Sequence, residues 1–195
     1  MRQAEEIRKT GETDVNIVIN LDGTGRPEIS TGVGFLDHML TLFAKHGRFD
    51  LKVNCSGDTW VDDHHTVEDT GIALGTAFDK ALGDRKGIVR YGNAIIPMDE
   101  ALIMTAVDLS GRGLLVIDMP IPSEKVGTFD TELAEEFFRA FAHNARLTLH
   151  IRELAGYNSH HIIEGAFKSL ARSLRQAVSV DPEARDEIPS TKGVL

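Results

Sequence analysis

The stretch DDHHTVED at residues 62–69 decides the fold, together with a second copy of its pattern, NSHHIIEG at residues 158–165. Both have the form His-His-x-x-Glu. On a helix, residues three and four apart share a face, so each Glu can face either His of its motif. The adjacent His side chains are about 100° apart around the helix axis, so they cannot easily bind one metal ion together. Two motifs therefore predict two metal ions, each bound by residues from both motifs.

The composition predicts one globular domain and does not favour a protein that binds nucleic acid or membranes. The 195 residues are 42% hydrophobic, which is enough for one domain with a sizeable core. The formal net charge of −9 argues against nucleic-acid and anionic-membrane partners, and no apolar run approaches the length of a membrane span. The single cysteine, Cys55, cannot form an internal disulfide, so we expect a cytoplasmic protein.

The same unit is used twice along the chain. Apolar residues alternate over residues 15–21 and again over 103–109, which predicts a half-buried strand in each half. Each strand is followed by an amphipathic helix, a short strand and a Gly-containing loop that leads to a His-His-x-x-Glu motif. The helices span about residues 35–45 and 132–145, and the short strands span 49–55 and 147–152. Each motif opens a long helix, to about Leu82 and about Val178.

This pattern predicts an α+β fold. We expect an internally duplicated half-domain (strand-strand-helix-strand-helix), with two sheets and the helices packed between or against them. A single domain would cover residues 1–195, with repeats at about 1–88 and 89–180 and a C-terminal tail at 181–195. Residues 89–101 predict an added strand or hairpin, broken at Pro97.

The metal prediction extends to one residue near the start of the first helix of each repeat, His38 and Glu136. Imidazole and carboxylate ligands together suit Mn²⁺, Fe²⁺ or Zn²⁺, and without a cysteine ligand we favour Mn²⁺. For Glu136 the alternative is a solvated glutamate beside Glu135. The predicted ligands are His38, His64, His65, Glu68, Glu136, His160, His161 and Glu164.

The sequence resembles the imidazoleglycerol-phosphate dehydratase family of histidine biosynthesis, over essentially all 195 residues. The resemblance implies a duplicated α/β fold, two Mn²⁺ per active site, and a 24-subunit shell with active sites at subunit interfaces. One departure is Glu136, where many family members have His. The matching stretches are TGET at 10–13, FLDHML at 35–40, DDHHTVED at 62–69, PMDEAL at 97–102, DLSGR at 108–112, NSHHIIE at 158–164 and PSTKGVL at 189–195.

The resemblance also implies the reaction. A manganese-dependent hydro-lyase would dehydrate imidazole glycerol phosphate to imidazole acetol phosphate, through a metal-stabilised imidazolate and a diazafulvene-type intermediate. Glu12 matches the family's acid/base position. The family's phosphate-binding positions are matched by Arg90, Arg112, Lys168, Ser190 and Lys192. Read without the resemblance, Glu12 is an ordinary exposed glutamate and the tail is a frayed terminus.

Two other functions stay open. A metal-dependent hydrolase, such as a phosphatase, would use a hydroxide that bridges two metal ions, and it would need that hydroxide at the phosphate. A non-catalytic metal-binding or assembly protein would need the ligands but neither Glu12 nor the tail lysine.

Overall fold

The main strands and helices follow the same order in both halves of the chain, and the second half adds a short hairpin. The computed structural model describes residues 1–193 and 195; Val194, part of the predicted tail, lies outside the described residues. The elements of the first half are β1 (Gln3–Lys9), β2 (Thr13–Asn20), β3 (Pro27–Ser30), α1 (Gly34–Gly47), β4 (Asp50–Gly57) and α2 (His64–Leu82). Those of the second half are β5 (Tyr91–Met98), β6 (Ala101–Asp108), β7 (Leu114–Asp118), β8 (Lys125–Val126), β9 (Phe129–Asp130), α3 (Leu133–Asn144), β10 (Thr148–Ala155) and α4 (Ser159–Ala177).

Two four-stranded sheets with the same topology confirm the predicted α+β class and its duplicated layout. The strand orders are β1-β2-β4-β3 and β5-β6-β10-β7. In each sheet the last strand named runs parallel to its neighbour and the others are antiparallel. The alternation that predicted β2 has a physical cause, because Val15, Ile17 and Ile19 all point into the core and are fully buried.

The structure differs from the predicted unit at the sheet edges. In each half, three strands of the four-stranded sheet precede the first helix rather than the two predicted, because the short edge strands β3 and β7 carry too few residues to show a clear alternation. Pro97 lies within β5 and does not break it. An edge strand accepts proline because one side of it has no neighbouring strand to receive an N–H. The small β8–β9 hairpin belongs to the second half alone.

The four helices of the described chain lie between the two sheets. Helices α1 and α2 cover the first sheet, α3 and α4 cover the second, and the two layers meet as the pairs α1–α4 and α2–α3. Aromatic rings join the layers: the ring of Phe141 on α3 lies 5.7 Å from that of Phe78 and 6.0 Å from that of Phe43. One apolar core therefore holds both halves, and α1 from one half is fixed against α4 from the other.

This packing gives the molecule two functional ends. The β8–β9 hairpin meets the beginnings of α1 and α4: the ring of Phe129 lies 4.9 Å from that of Phe35, and the amide of Ser123 donates to Ser159 Oγ at 3.0 Å. We call this end, which carries both His-His-x-x-Glu motifs, the motif pole. At the opposite end, where α4 finishes, the amide of Arg90 donates to the carbonyl of Ala177 at 2.9 Å. We call this end the arginine pole.

None of the helices in residues 1–193 combines the length with the apolar character that crossing a bilayer requires.

The close approach of α2 to α3 predicts the effect of one substitution. A Cβ at Gly75 would lie 2.6 Å from the carbonyl oxygen of Phe141 and 2.8 Å from the amide nitrogen of Ala145, both backbone atoms. Gly75→Ala should therefore destabilise the metal-free protein by about 1–3 kcal/mol, although alanine is the better helix former. Chemical denaturation measures the free energy of unfolding.

Gly34→Ala is the matched control, because Gly34 is also helical and a Cβ there would meet nothing within 4 Å. Its free energy of unfolding should change by no more than about 1 kcal/mol, in the stabilising direction if at all. Equal stability of the two variants would contradict the close α2–α3 contact.

Candidate functional site

Three predicted ligands converge at the motif pole. His38 on α1 and His160 on α4 point their Nε2 atoms at the same carboxylate oxygen, Glu164 Oε2, at 3.3 and 3.1 Å. Among residues 1–193 and 195 this is the one group of three potential metal ligands whose ligand atoms all lie within 4.8 Å of one another. It draws on both halves of the chain, since α1 belongs to the first and α4 to the second.

The carboxylate at the centre of this triplet is ionised. Glu164 is 6% exposed, and its burial opposes ionisation. Lys168 outweighs that cost through its charge and its hydrogen bond, with Nζ 2.5 Å from Glu164 Oε1. The hydrogen bonds to His38 and His160 add to this effect. The pKa of Glu164 is therefore held below its usual value. A buried anion facing two imidazoles is a donor set that fits a divalent cation such as Mn²⁺, Fe²⁺ or Zn²⁺.

The second motif is fixed at the first turn of α4. The side chain of Asn158 caps this helix and accepts hydrogen bonds from the amides of His160 and His161, at 3.0 and 3.3 Å. The two His rings are 6.2 Å apart and inclined by 78°, so they point in different directions, as their spacing predicts. His160 turns to Glu164, and His161 turns to the loop between β5 and β6.

His161 meets two carboxylates in that loop. Its Nδ1 lies 2.7 Å from Glu100 Oε2, and its Nε2 lies 3.7 Å from Asp99 Oδ2. Glu100 also accepts from the amides of Asn158 and Tyr157, at 2.9 and 3.4 Å. The hydrogen bond from His161 is the main cause that lowers the pKa of Glu100 to about 2, and the same bond raises the pKa of His161.

The first motif repeats this divergence with different partners. The rings of His64 and His65 are 6.1 Å apart and inclined by 87°. His65 Nδ1 lies 3.1 Å from each carboxylate oxygen of Asp58, a hydrogen bond that raises the pKa of His65, and its Nε2 lies 3.7 Å from Glu12 Oε2. His64 Nε2 lies 4.0 Å from Glu68 Oε2, with both side chains more than 40% exposed.

Glu136 does not complete a second triplet in the part of the chain that is described. It sits on α3, next to Phe137, whose carbonyl oxygen would be 3.0 Å from a Cβ at Gly71 on α2. The ligand roles of His64, Glu68 and Glu136 therefore stay predictions.

The residues predicted to bind phosphate divide between the two poles. Lys168 lies at the motif pole, beside Glu164 and with its Nζ 3.4 Å from Met98 Sδ. Arg90 and Arg112 lie at the arginine pole with the tail. Since α4 rises about 1.5 Å per residue, the sixteen residues from His161 to its end at Ala177 put the poles about 24 Å apart.

The described part of the tail is packed against the arginine pole and is not a frayed terminus. The guanidinium of Arg90 binds Asp108, with Nε 2.8 Å from Oδ1, and donates from Nη1 to the carbonyl of Pro189 at 2.7 Å. Ser190 Oγ accepts from the amide of Lys192 at 3.2 Å. The chain end closes on the β6–β7 turn next to Arg112, since a Cβ at Gly111 would lie 2.8 Å from the carbonyl carbon of Leu195. Arg90, Arg112, Ser190 and Lys192 thus gather at one end.

Three carboxylates at the motif pole were not singled out as site residues from the sequence: Asp58, Asp99 and Glu100. A signal for Glu100 was present. It precedes β6 directly, as Glu12 precedes β2, and the two strands start 88 residues apart, at Thr13 and Ala101. For Asp58 the only signal is its place just after β4, at the strand end that leads to the first motif.

The chain matches one protein family and several of its solved structures. The family model described as "Imidazoleglycerol-phosphate dehydratase" matches residues 31–174. The enzyme of that name from Desulforamulus reducens is 63% identical over 194 residues, covering all of this chain and 98% of the relative. The one from Cereibacter sphaeroides strain ATCC 17029 is 57% identical over the full length of both chains.

Two crystal structures share the fold. The Staphylococcus aureus imidazoleglycerol-phosphate dehydratase superposes with a TM-score of 0.83 at 46% identity, covering 91% of this chain and 99% of that one. The Pyrococcus furiosus enzyme, solved with (S)-C348, superposes with a TM-score of 0.84 at 39% identity, covering 97% and 99%. With the fold, the full-length likeness and the family model in agreement, the chain belongs to the imidazoleglycerol-phosphate dehydratase family.

Proposed function

We propose that this chain dehydrates imidazole glycerol phosphate to imidazole acetol phosphate in histidine biosynthesis, as a manganese-dependent hydro-lyase of the cytoplasm. The observation that carries the proposal is the convergence of His38, His160 and Glu164 on one point at the motif pole, in a chain of this family. The single cysteine, Cys55, supports a reducing compartment.

Two Mn²⁺ ions per active site are part of the proposal. His38, His160 and Glu164 would hold one ion, and Glu136, His64 and Glu68 would hold the other, with His65 and His161 completing the ligand sets. Bound metal would supply positive charge that stabilises the imidazolate and diazafulvene-type intermediate of the substrate. In place of the family's frequent His, Glu136 would bring one more negative charge to its ion.

The protein must also move protons. The carbon beside the imidazole ring loses hydroxide, which leaves as water, and gains a proton, while the next carbon of the chain loses its proton as its hydroxyl becomes the ketone. Glu12 is suited to this, because its side chain is 55% exposed and its carboxylate lies 3.7 Å from His65 Nε2, beside a proposed metal ligand. A carboxylate that was fully hydrogen-bonded could not change its protonation state as readily.

The phosphate would bind at the arginine pole. A phosphate needs fixed cations and hydrogen-bond donors, which Arg112, Ser190 and Lys192 supply while Arg90 holds the tail in place. The substrate is far shorter than the distance of about 24 Å between the poles of one chain. The active site would therefore form where the motif pole and Lys168 of one copy meet the arginine pole of another.

Exposed aromatic residues at the motif pole support such an interface. Trp60 precedes the first motif and is 84% exposed, and Tyr157 precedes the second and is 76% exposed. Large apolar side chains left in water beside a site are a mark of a surface that another protein covers. We propose that the partner is another copy of this chain and that the assembly is the 24-subunit shell of the family.

A phosphatase would place the phosphate differently. It would need its metal-activated hydroxide at the phosphate, whereas the proposed site puts the phosphate on Arg112, Ser190 and Lys192 and the metal ions beside the imidazole ring. We expect the protein with Mn²⁺ and imidazole glycerol phosphate to form a ketone and to release no inorganic phosphate. Separate assays for ketone and phosphate measure this; phosphate without ketone would support the hydrolase, and neither product would support a binding protein.

The proposed ligands can be tested against a neighbour on the same helix. Glu164→Gln and Glu136→Gln should each remove one carboxylate ligand. Binding of one ion should weaken at least tenfold, because loss of a residue that only supports a ligand already costs about tenfold or more. Elemental analysis after dialysis should then find about one ion per chain instead of two.

Glu135→Gln is the control, because Glu135 adjoins Glu136 on α3 but pairs with Arg139. It should keep two ions. If Glu136→Gln also keeps two, Glu136 is a solvated helix-face glutamate, as the alternative reading holds.

Mixing two inactive variants tests whether the site combines two copies. One variant is Glu164→Gln, which lacks a working motif pole, and the other is Arg112→Ala with Lys192→Ala, which lacks a working arginine pole. When equal amounts are mixed without metal and then assembled with Mn²⁺, random assembly should restore about a quarter of the sites, because each site needs one intact pole from each of two copies.

Activity of the mixture relative to each variant alone is the readout. A site contained in one chain would gain nothing from mixing, so a mixture as inactive as its components would rule out the composite site.

A further inference from the structure

Glu12 and Glu100 occupy the same position in the two halves of the chain. Each directly precedes the second strand of its half, and those strands, β2 and β6, are both eight residues long. Each also faces the second His of the motif in its own half. Glu12 Oε2 lies 3.7 Å from an imidazole nitrogen of His65, and Glu100 Oε2 lies 2.7 Å from one of His161.

The two glutamates face opposite nitrogens of their imidazoles. Glu100 accepts from Nδ1 of His161 and from the amides of Asn158 and Tyr157, so three donors hold its carboxylate. Its side chain is 21% exposed. Glu12 lies on the Nε2 side of His65, and its side chain is 55% exposed.

In the first half, the Nδ1 position is filled by a residue from another element. Both carboxylate oxygens of Asp58 lie 3.1 Å from His65 Nδ1. The amide of Asp58 also donates to the main-chain carbonyl of Glu12 at 3.1 Å, which fixes Asp58 and Glu12 side by side. Asp58 thus contacts Nδ1 of His65 as Glu100 contacts Nδ1 of His161.

The nitrogen that each carboxylate contacts determines what the imidazole can do. An ionised carboxylate can only accept a hydrogen bond, so Nδ1 must carry the proton in both contacts. The lone pair of a neutral imidazole is then at Nε2, which is the atom left to bind a metal ion. A carboxylate in this position also fixes the orientation of the ring.

We propose that Asp58 and Glu100 are positioning residues that hold His65 and His161 with a protonated Nδ1 and a free Nε2. Glu12 is the counterpart of Glu100, but it does not orient His65, because Asp58 does so. The inference rests on the proposed function, in which His65 and His161 are metal ligands and Glu12 carries the proton. Duplication supplied two equivalent glutamates, and a carboxylate from the end of β4 allowed one of them to serve the chemistry.

The test uses the full-length chain and starts without metal. ¹⁵N NMR of the histidine side chains, at a pH where they are neutral, should show the Nδ1–H form for His65 and His161. Glu100→Ala should move His161 to a mixture of the two neutral forms and leave His65 unchanged, and Asp58→Ala should do the reverse. Glu100→Gln and Asp58→Asn, which keep the side-chain volume, should show the same direction of change and serve if the alanine variants fold poorly.

Metal affinity and turnover separate positioning from catalysis. Glu100→Ala and Asp58→Ala should weaken Mn²⁺ binding by about ten- to a hundredfold, measured by titration calorimetry, and excess Mn²⁺ should restore part of the lost turnover. Glu12→Gln should keep both imidazole forms and the Mn²⁺ affinity while lowering turnover by about a hundred- to ten-thousandfold, and excess Mn²⁺ should not restore it. Glu28→Gln, an exposed glutamate on β3, is the control for loss of a carboxylate and should change none of these.

The proposal is overturned if His161 keeps the Nδ1–H form and full Mn²⁺ affinity without Glu100, or if Glu12→Gln alters either property of His65. These readouts do not depend on turnover. A wild-type chain that makes no ketone would refute the proposed function, and the imidazole forms and metal affinities would still decide the positioning roles.

Discussion

The motif pole depends on one buried charge, the carboxylate of Glu164. An ionised carboxylate that is 6% exposed is costly unless its oxygens are satisfied. Lys168, one turn further along α4, satisfies one oxygen, and His38 and His160 contact the other. Because His38 comes from α1, the full set of contacts to this charge forms only while α1 and α4 remain packed together. The same packing helps to join the two halves of the core, so the site and the core share one helix pair.

The two halves of the chain share their sheets and helices but differ in the polar residues that these elements carry. The sheet orders and the pairing of helices across the core match between the halves, since both are fixed by burial of the same apolar pattern. The polar positions are under no such constraint. His38 and Glu136 sit at corresponding places near the start of α1 and α3. The Nδ1 partner of the second His is the residue after β4 in one half and lies in the β5–β6 loop in the other. Equivalent positions in the two halves therefore need not have equivalent roles.

These differences explain what the sequence could and could not predict. The alternation of Val15, Ile17 and Ile19 and the spacing of the His-His-x-x-Glu motifs report local geometry, so the main strands, the helices and the divergence of adjacent His followed from them. The contact of Glu100 with His161 joins residues 61 positions apart and is created by the packing of α4 on the second sheet. The equivalence of Glu100 to Glu12 along the chain marks Glu100 as a possible site residue, but residue spacing does not show which imidazole it contacts. The gathering of Arg90 and the tail also arises from tertiary structure, and composition alone favoured a frayed end.

The two poles tie the proposed chemistry to assembly. A chain of net charge −9 needs local cations to bind a phosphate, and under the proposed function Arg112 and Lys192 supply them at the end of α4 away from the predicted metal ligands. One end of the chain therefore offers anions and imidazoles that suit metal ions, and the other offers arginine and lysine that suit an anion. Under the proposed function, the motif pole alone would not bind the phosphate of the substrate, and the arginine pole alone would not bind its imidazole ring. When copies meet pole to pole as proposed, the predicted metal ligands of one copy and the phosphate-binding residues of the other would form a single site. A site of this kind needs no lid to exclude water, because the neighbouring copy would cover it.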